Sequence, residues 1–247
     1  MLDKKVSIII PVCEPFYLID DCLKSLLSYT RNYDQISEII IIDNSNGNAW
    51  NVVGKYNALM SLKGIQLVYI DPGKNLMHVA SINLGLKYAT GYYVLLFNDD
   101  IEIPITQSRW LEYLISTFDE YPNCEIATMV LIHRDHTIYW IGEKNNRHID
   151  HFEPFRFLPT DHYFDSEWSN MACLLVRREI FDLIKYDGIN PKTGKVHKHY
   201  SADNFFGRRV RYDLGKEQIV RKDVWLYHYN ERVRIRKQDL KRTKFGR

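Results

Sequence analysis

The sequence predicts an α/β protein with a mainly parallel sheet covered by helices on both faces. Two observations carry this. Short runs rich in Val, Ile and Leu alternate with helix-length amphipathic segments through the first half of the chain, the rhythm of strand–helix–strand units whose strands are buried on both sides. Three of those runs also end abruptly in polar or acidic residues, at Pro11–Glu14, Asp43–Asn46 and Asn98–Glu102. Open α/β sheets bind their ligands beyond the carboxyl ends of the strands.

Taken in order, Val6–Val12 reads as the first strand. A helix follows over Tyr17–Thr30, with Leu18, Cys22, Leu26 and Tyr29 at helical spacing. Ile39–Ile42 is a second strand that ends in Asp43-Asn44-Ser45-Asn46-Gly47, a turn with helix-starting chemistry. A helix over Trp50–Met60 leads to a third strand, Gln66–Ile70, stopped by Asp71-Pro72-Gly73. A helix over His78–Tyr88 ends before Gly91, and the strand Tyr92–Phe97 follows. The second half is less regular: a helix over Arg109–Tyr121, a strand over Glu125–Leu131, and a His-, Asn-, Asp- and Pro-rich stretch over 132–165 of lid length. Ala172–Val176 reads as a strand with a helix from Arg178, Gly188–Gly194 as a break, and Ala202–Leu214 as a helix. Gln218–Val220 and Val224–Tyr229 read as short closing strands. With no internal repeat or low-complexity linker, one domain over residues 1–230 is expected, with halves at 1–104 and 105–230, followed by a tail at 231–247.

The totals are those of an ordinary globular protein, 45% hydrophobic and 26% charged over 247 residues. No apolar run approaches the ~20 residues that cross a bilayer, and no export signal is visible. Four cysteines without metal-ligand spacing suit reduced thiols in the cytoplasm. The net charge of +2 hides an asymmetry: residues 231–247 carry eight basic and two acidic side chains, which leaves 25 basic and 29 acidic elsewhere. The basic charge is a tail property. It fits a solvated terminal helix, peripheral contact with an anionic membrane or contact with a substrate diphosphate. No nucleic-acid-binding motif accompanies it.

The run YYVLLFNDDIEIP, Tyr92–Pro104, is the most informative stretch. Carboxylates at the end of a core strand are costly unless they meet cations or hydrogen-bond donors. A hard divalent ion takes such oxygens, and Mg²⁺ commonly uses one or two carboxylates together with substrate phosphates. A polar turn capping the next helix is the simpler alternative. There is no Gly-rich phosphate loop, neither G-x-G-x-x-G nor G-x-x-x-x-G-K, so a dinucleotide or ATPase site is not indicated.

With those segments in place, the chain resembles the family 2 glycosyltransferases of the GT-A fold over roughly Val6–Tyr229. VSIIIPV resembles the family's first strand and EIIIIDNSN its second. NLMHVASINLGLKYATGYYVLLFNDDIEIP resembles its central pattern, MACLLVRREIF its acceptor-half segment, HYSADNFFGRRVR its catalytic segment and VWLYHY its closing strand. The rhamnosyltransferase-like subgroup is the nearest in pattern. The resemblance implies a mainly parallel nucleotide-binding sheet with a smaller mixed sheet on the acceptor side.

Position by position, the resemblance implies that Asp43 contacts the nucleobase and Asp99 the ribose region, with Pro11, Glu14, Asn75 and Asn83 lining the donor site. Asp100 and His228 would hold the metal ion, Glu102 would offer a second carboxylate through water, and Asp203 would be the general base. Four departures stand out. Ala202 replaces one member of the usual acidic pair, Met77 a glycine, Met171 a small residue and Glu14 an Asn.

The chemistry suits these groups. A departing diphosphate is stabilised by a Lewis-acidic ion, and an imidazole beside a carboxylate favours Mn²⁺, with Mg²⁺ as substitute. A carboxylate can take the proton of an attacking hydroxyl. The implied activity is inverting transfer from a UDP-, dTDP- or GDP-sugar to a glycan or glycolipid, with the acceptor pocket drawn from residues 132–171. Simple helix capping for Asp203, a core role for His228 and a turn role for Asp43 are the alternatives. For the whole chain, the alternatives are a non-catalytic sugar-nucleotide or glycan binder and a pyrophosphorylase. The latter usually carries a Gly- and Arg-rich loop where PVCEPFY stands.

Overall fold

The computed structural model describes residues 4–134, 138–140, 163–165, 172–190, 193–195 and 202–229, with backbone only for 138–140 and 163–165. Met171, most of the 132–171 segment and the 231–247 tail lie outside the described residues.

The elements in chain order are β1 (Val6–Val12), α1 (Tyr17–Tyr29), β2 (Ile36–Asp43), α2 (Trp50–Val53), α3 (Asn57–Leu62), β3 (Gln66–Ile70), α4 (Met77–Leu86), β4 (Tyr93–Phe97) and β5 (Ile101–Glu102). There follow α5 (Trp110–Glu120), β6 (Cys124–Ile132), β7 (Ile138–Trp140), β8 (Tyr163–Asp165), β9 (Cys173–Arg177), α6 (Ile180–Leu183), α7 (Ala202–Leu214) and β10 (Glu217–His228). The expected Trp50–Met60 helix is broken. Gly54–Tyr56 forms a 3₁₀ turn between α2 and α3, and Gly is a poor residue to carry a helix through. The two expected closing strands are one strand, β10, with a register shift between Arg221 and Trp225. The side chain of Arg221 is buried there, and its guanidinium donates to both carboxylate oxygens of Asp223 at 2.9 and 2.6 Å.

The sheet runs β3-β2-β1-β4-β9-β6-β10-β5, with β7 beside β6 and β8 beside β10. The expected α/β architecture is present: β3, β2, β1 and β4 are mutually parallel. β9 is antiparallel to both β4 and β6. The mixed half thus continues the parallel half as one sheet. Each face of that sheet has its own core. One is built from Ile8, Ile10, Val12, Leu23, Leu26, Trp110 and Phe118 under α1 and α5. The other is built from Ile9, Ile40, Ile42, Ile82, Phe206 and Val210 under α4 and α7. Alternate residues of β1 divide between the two cores, as the two-residue period of a strand requires. Among the described residues, no helix is long and apolar enough to cross a membrane.

The Ala89-Thr90-Gly91 turn into β4 has a packing explanation. Glu38, buried on β2, accepts from the Thr90 amide at 2.8 Å, from the Thr90 hydroxyl at 2.7 Å and from the Ser7 hydroxyl, while Ser7 Oγ accepts from the Gly91 amide at 2.7 Å. A Cβ on Gly91 would sit 2.6 Å from the Ser7 backbone nitrogen, with no side chain free to move aside. Gly91→Ala is therefore expected to destabilise the fold by about 1–3 kcal/mol, read as a lower midpoint in urea unfolding.

Candidate active site

In the order β3-β2-β1-β4, the chain winds outward from β1 to β3 and then crosses back to the other side of β1. The crevice beyond the carboxyl ends of β1 and β4 is thus the topological switch point, where such sheets bind ligands. Asp99 lies in this crevice, 1% exposed, and its Oδ2 accepts from the Cys13 amide at 3.2 Å. That bond ties the Pro11–Glu14 segment to the end of β4. Pro11 is half-buried and Glu14 exposed, both beside it in the chain.

Asp100 and His228 stand 128 positions apart in sequence and meet through backbone pairing. β5 and β10 are antiparallel, with His228 opposite Ile101 and Tyr227 opposite Glu102. The Tyr229 amide donates to the Asp100 carbonyl at 3.0 Å. The ladder leaves His228 Nε2 3.2 Å from Asp100 Oδ1, and both side chains are buried. The two atoms lie side by side and are not aligned as a hydrogen bond.

The fit to a divalent cation can be judged from this spacing. Two ligand atoms at right angles on one ion, each about 2.1–2.2 Å from it, are about 3.0–3.1 Å apart. The pair has that separation and a carboxylate–imidazole composition suited to Mn²⁺. Among the described residues, no group of three or more His, Cys, Asp or Glu side chains forms a complete cage. Further ligands would come from substrate oxygens and water, as is usual at phosphate sites.

Glu102 has other partners. Its Oε2 accepts from Arg134 Nη2 at 2.6 Å, from Arg134 Nε at 3.2 Å and from the Tyr229 hydroxyl, while the Arg134 guanidinium lies 4.3 Å from the centre of the Tyr229 ring. Burial raises the Glu102 pKa, and the Arg134 charge opposes the rise. The water-mediated metal role expected for Glu102 competes with these contacts. Arg134 carried no motif by which the sequence could have marked it.

Asp43 is wholly buried at the end of β2. Its Oδ1 accepts from the Ser45 amide at 2.7 Å and from the Ser45 hydroxyl, and its Oδ2 from the Ala49 amide at 3.1 Å and from the Tyr69 hydroxyl. An ionised carboxylate has about four acceptor positions, so these bonds describe a residue that shapes the Ser45–Ala49 turn. A nucleobase contact would have to share or displace one of them. The same hydrogen bond raises the Tyr69 pKa, second only to burial as a cause.

The other donor-site candidates surround α4. Asn75 is exposed, and its Oδ1 accepts from the Met77 amide at 2.8 Å. Asn83 Nδ2 donates to the carbonyls of Val79 at 3.0 Å and Tyr186 at 2.6 Å, which ties α4 to the segment after α6. A mainly apolar cleft of about 690 Å³ runs along Leu76, Met77, Asn83, Lys87 and Asp187. Met77 keeps the left-handed conformation, φ 65°, that a glycine would adopt freely. An L-residue there costs roughly 1–2 kcal/mol, and its exposed side chain recovers little of that. Met77→Gly also loosens the unfolded chain, so a net gain of about 0.5–1 kcal/mol is expected. A thermal midpoint below that of the native protein would show that the Met77 side chain supports the fold.

Asp203 occupies the first turn of α7 and is 7% exposed, with the buried Ala202 before it. The structure therefore brings Asp100 and His228 together, fixes Asp99 beside the end of β1, and gives Asp43, Asn75 and Asn83 turn- or helix-anchoring contacts.

Three comparisons bear on this arrangement. The family model described as "Glycosyl transferase family 2" matches residues 7–184. Among solved structures, one similar chain is the mannosyltransferase PcManGT from Pyrobaculum calidifontis in complex with GDP-Man and Mn²⁺, with TM-score 0.62, 15% identity, and coverage of 91% of this chain and 56% of that one. Another is GalNAc-T7 with UDP, GalNAc and Mn²⁺, with TM-score 0.67, 12% identity, and coverage of 91% and 44%. A third is TarS of S. aureus, residues 1–349, with TM-score 0.61, 15% identity, and coverage of 91% and 60%. The chain thus spans about half the length of the structures it matches, and at these identities the likeness is one of fold. No match was found among curated protein sequences.

Proposed function

Since the chain belongs to glycosyl transferase family 2, matched over residues 7–184, we propose that it moves a sugar from a nucleoside-diphosphate donor to a hydroxyl of a glycan or glycolipid, with inversion at the anomeric carbon. The observation that carries the reading is the β5/β10 ladder, which sets His228 Nε2 3.2 Å from Asp100 Oδ1 at the switch-point crevice. In this reading residues 1–230 form one domain, the donor half ending near Pro104. Four free cysteines accord with a reducing compartment and cytoplasmic action.

Each residue then has a task. Asp100 and His228 hold Mn²⁺, or Mg²⁺ in its place. When bound, that ion supplies Lewis-acid stabilisation of the departing diphosphate, worth several kcal/mol. Asp99 holds the Cys13 amide and so fixes the loop that faces the donor. The carboxylate of Asp203 accepts the proton of the acceptor hydroxyl as that oxygen attacks, which typically contributes 10²–10⁴-fold. A single displacement on the face opposite the leaving group inverts the sugar and needs no covalent intermediate.

The donor nucleotide is open to a direct test. UDP-glucose, GDP-mannose and dTDP-rhamnose, each with and without Mn²⁺, are to be screened for thermal stabilisation and for release of nucleoside diphosphate. At least one is expected to stabilise the protein more with Mn²⁺ and to be hydrolysed slowly. Selection of dTDP-rhamnose would support the rhamnosyltransferase-like subgroup. Stabilisation without any release from the native protein would favour a binding domain, and no response to any donor would count against the proposal.

A further inference from the structure

The substitution of Ala202 for a second acid leaves a question about what orients Asp203, because a buried alanine side chain makes no hydrogen bond. The segment after α6 offers an answer. Tyr186 is 1% exposed and packs edge-on against Phe206, with ring centroids 5.6 Å apart. Phe206 follows Asp203 by three positions on α7, so the two share a helix face. The phenol is thus held on the side of α7 from which Asp203 projects. The other edge of Tyr186 meets α4, where its hydroxyl lies 3.4 Å from His78 Nε2.

The backbone around Tyr186 is clamped from both sides. Its carbonyl accepts from Asn83 on α4 at 2.6 Å, and Arg209 on α7 reaches Asp187 Oδ2 at 3.4 Å. A buried phenol needs hydrogen-bond partners, and this one is mounted rigidly between two helices that carry candidate catalytic groups.

We propose that His78 and Tyr186 form a relay that positions the Asp203 carboxylate, with His78 Nε2–H donating to the Tyr186 hydroxyl and that hydroxyl donating to Asp203. Protonation states agree with this direction of donation. Burial, followed by the charge of Asp203, pushes the Tyr186 phenol well up, so it keeps its proton. Burial pushes His78 down to about 4, with Asp100 opposing, so its imidazole is neutral at pH 7 and has one N–H to donate. Among the described residues, the groups facing this pair are Asp203 from α7 and Asp100 beyond His78, while Asp187 is held by Arg209. Tyr186 and His78 are positioning residues here, and the proposal rests on reading Asp203 as the base.

The test compares the native protein with Tyr186→Phe, Asp203→Asn and His78→Leu. Tyr186→Phe keeps the ring against Phe206 and removes only the hydroxyl. A hydroxyl that donates to an ionised carboxylate lowers its pKa, so its loss is expected to raise the titration midpoint of Asp203. That midpoint is read by carboxyl ¹³C NMR, assigned through the signal missing from Asp203→Asn, and needs no substrate. With a donor that the native protein turns over, kcat is expected to fall roughly tenfold or more, with donor KM within about twofold, and the acid limb of the pH–kcat profile should move to higher pH. His78→Leu should shift both in the same direction, and it tests the relay if Tyr186→Phe fails to fold. An unmoved Asp203 midpoint in these variants would overturn the relay, even if activity dropped. Normal turnover by Asp203→Asn would instead overturn the base assignment.

Discussion

Asp203→Asn is expected to bind donor with native affinity and to lose about 10²–10⁴-fold in kcat. The amide keeps the size of the carboxylate and its place in the first turn of α7, but it cannot accept the proton of an attacking hydroxyl. Only the reaction step should therefore suffer. Steady-state kinetics with stopped-flow or calorimetric donor binding separates the two effects. Turnover within a few-fold of native would remove Asp203 from the chemistry and leave it as a helix-capping residue. Because Asp203 is 7% exposed on a helix that packs into the second core, a thermal midpoint for the variant belongs beside the kinetics.

The second large effect is expected at Asp100. Asp100→Asn keeps the shape of a buried side chain while removing the charge that a divalent ion requires. In the native protein, donor at 100 times its dissociation constant should add about 2.7 kcal/mol of stability, roughly 5–10 °C for a chain of this size. The Mn²⁺-dependent part of that gain is expected to vanish in Asp100→Asn and in His228→Ala, read by thermal melts with metal, with donor, and with both. Persistence of the full Mn²⁺-dependent shift in either variant would place the ion elsewhere. The buried Asp100 and His228 side chains approach within 3.2 Å, so the melt of each variant without ligands serves as the baseline.

The sequence made much of this legible, for identifiable reasons. Strand-length Ile- and Val-rich runs reveal the parallel half because strands buried on both faces leave that imprint regardless of neighbours. Polar residues clustered at strand ends point to the crevice beyond β1 and β4, because the topology of such sheets directs ligands there. What was hidden depended on pairing. Periodicity does not encode strand direction, so the antiparallel insertion of β9 between β4 and β6 could not be read. β5 is only two residues long and sits in a polar run, yet it sets the register that delivers His228 to Asp100.

Side-chain commitments were likewise invisible. Asp43 looks available in sequence, but Tyr69 from the adjacent strand and the Ser45–Ala49 turn occupy its oxygens. Asn83 appears in an N-x-G pattern suggestive of the donor site, and its amide donates instead to the Tyr186 carbonyl. Tyr186 and His78 were missed because a lone Tyr and a lone His separated by 108 positions carry no local motif. The departure at Met77 was legible as a lost glycine, while its retained left-handed backbone required coordinates.

The central claim is that one divalent ion bridges Asp100, His228 and the donor diphosphate. The most direct measurement is anomalous diffraction at the manganese edge, from crystals soaked with MnCl₂ and the nucleoside diphosphate that the protein binds. The account predicts a single strong peak within about 2.0–2.4 Å of Asp100 oxygen and His228 Nε2, with phosphate oxygens completing the sphere. A well-occupied manganese bound to the diphosphate but away from both side chains would contradict it.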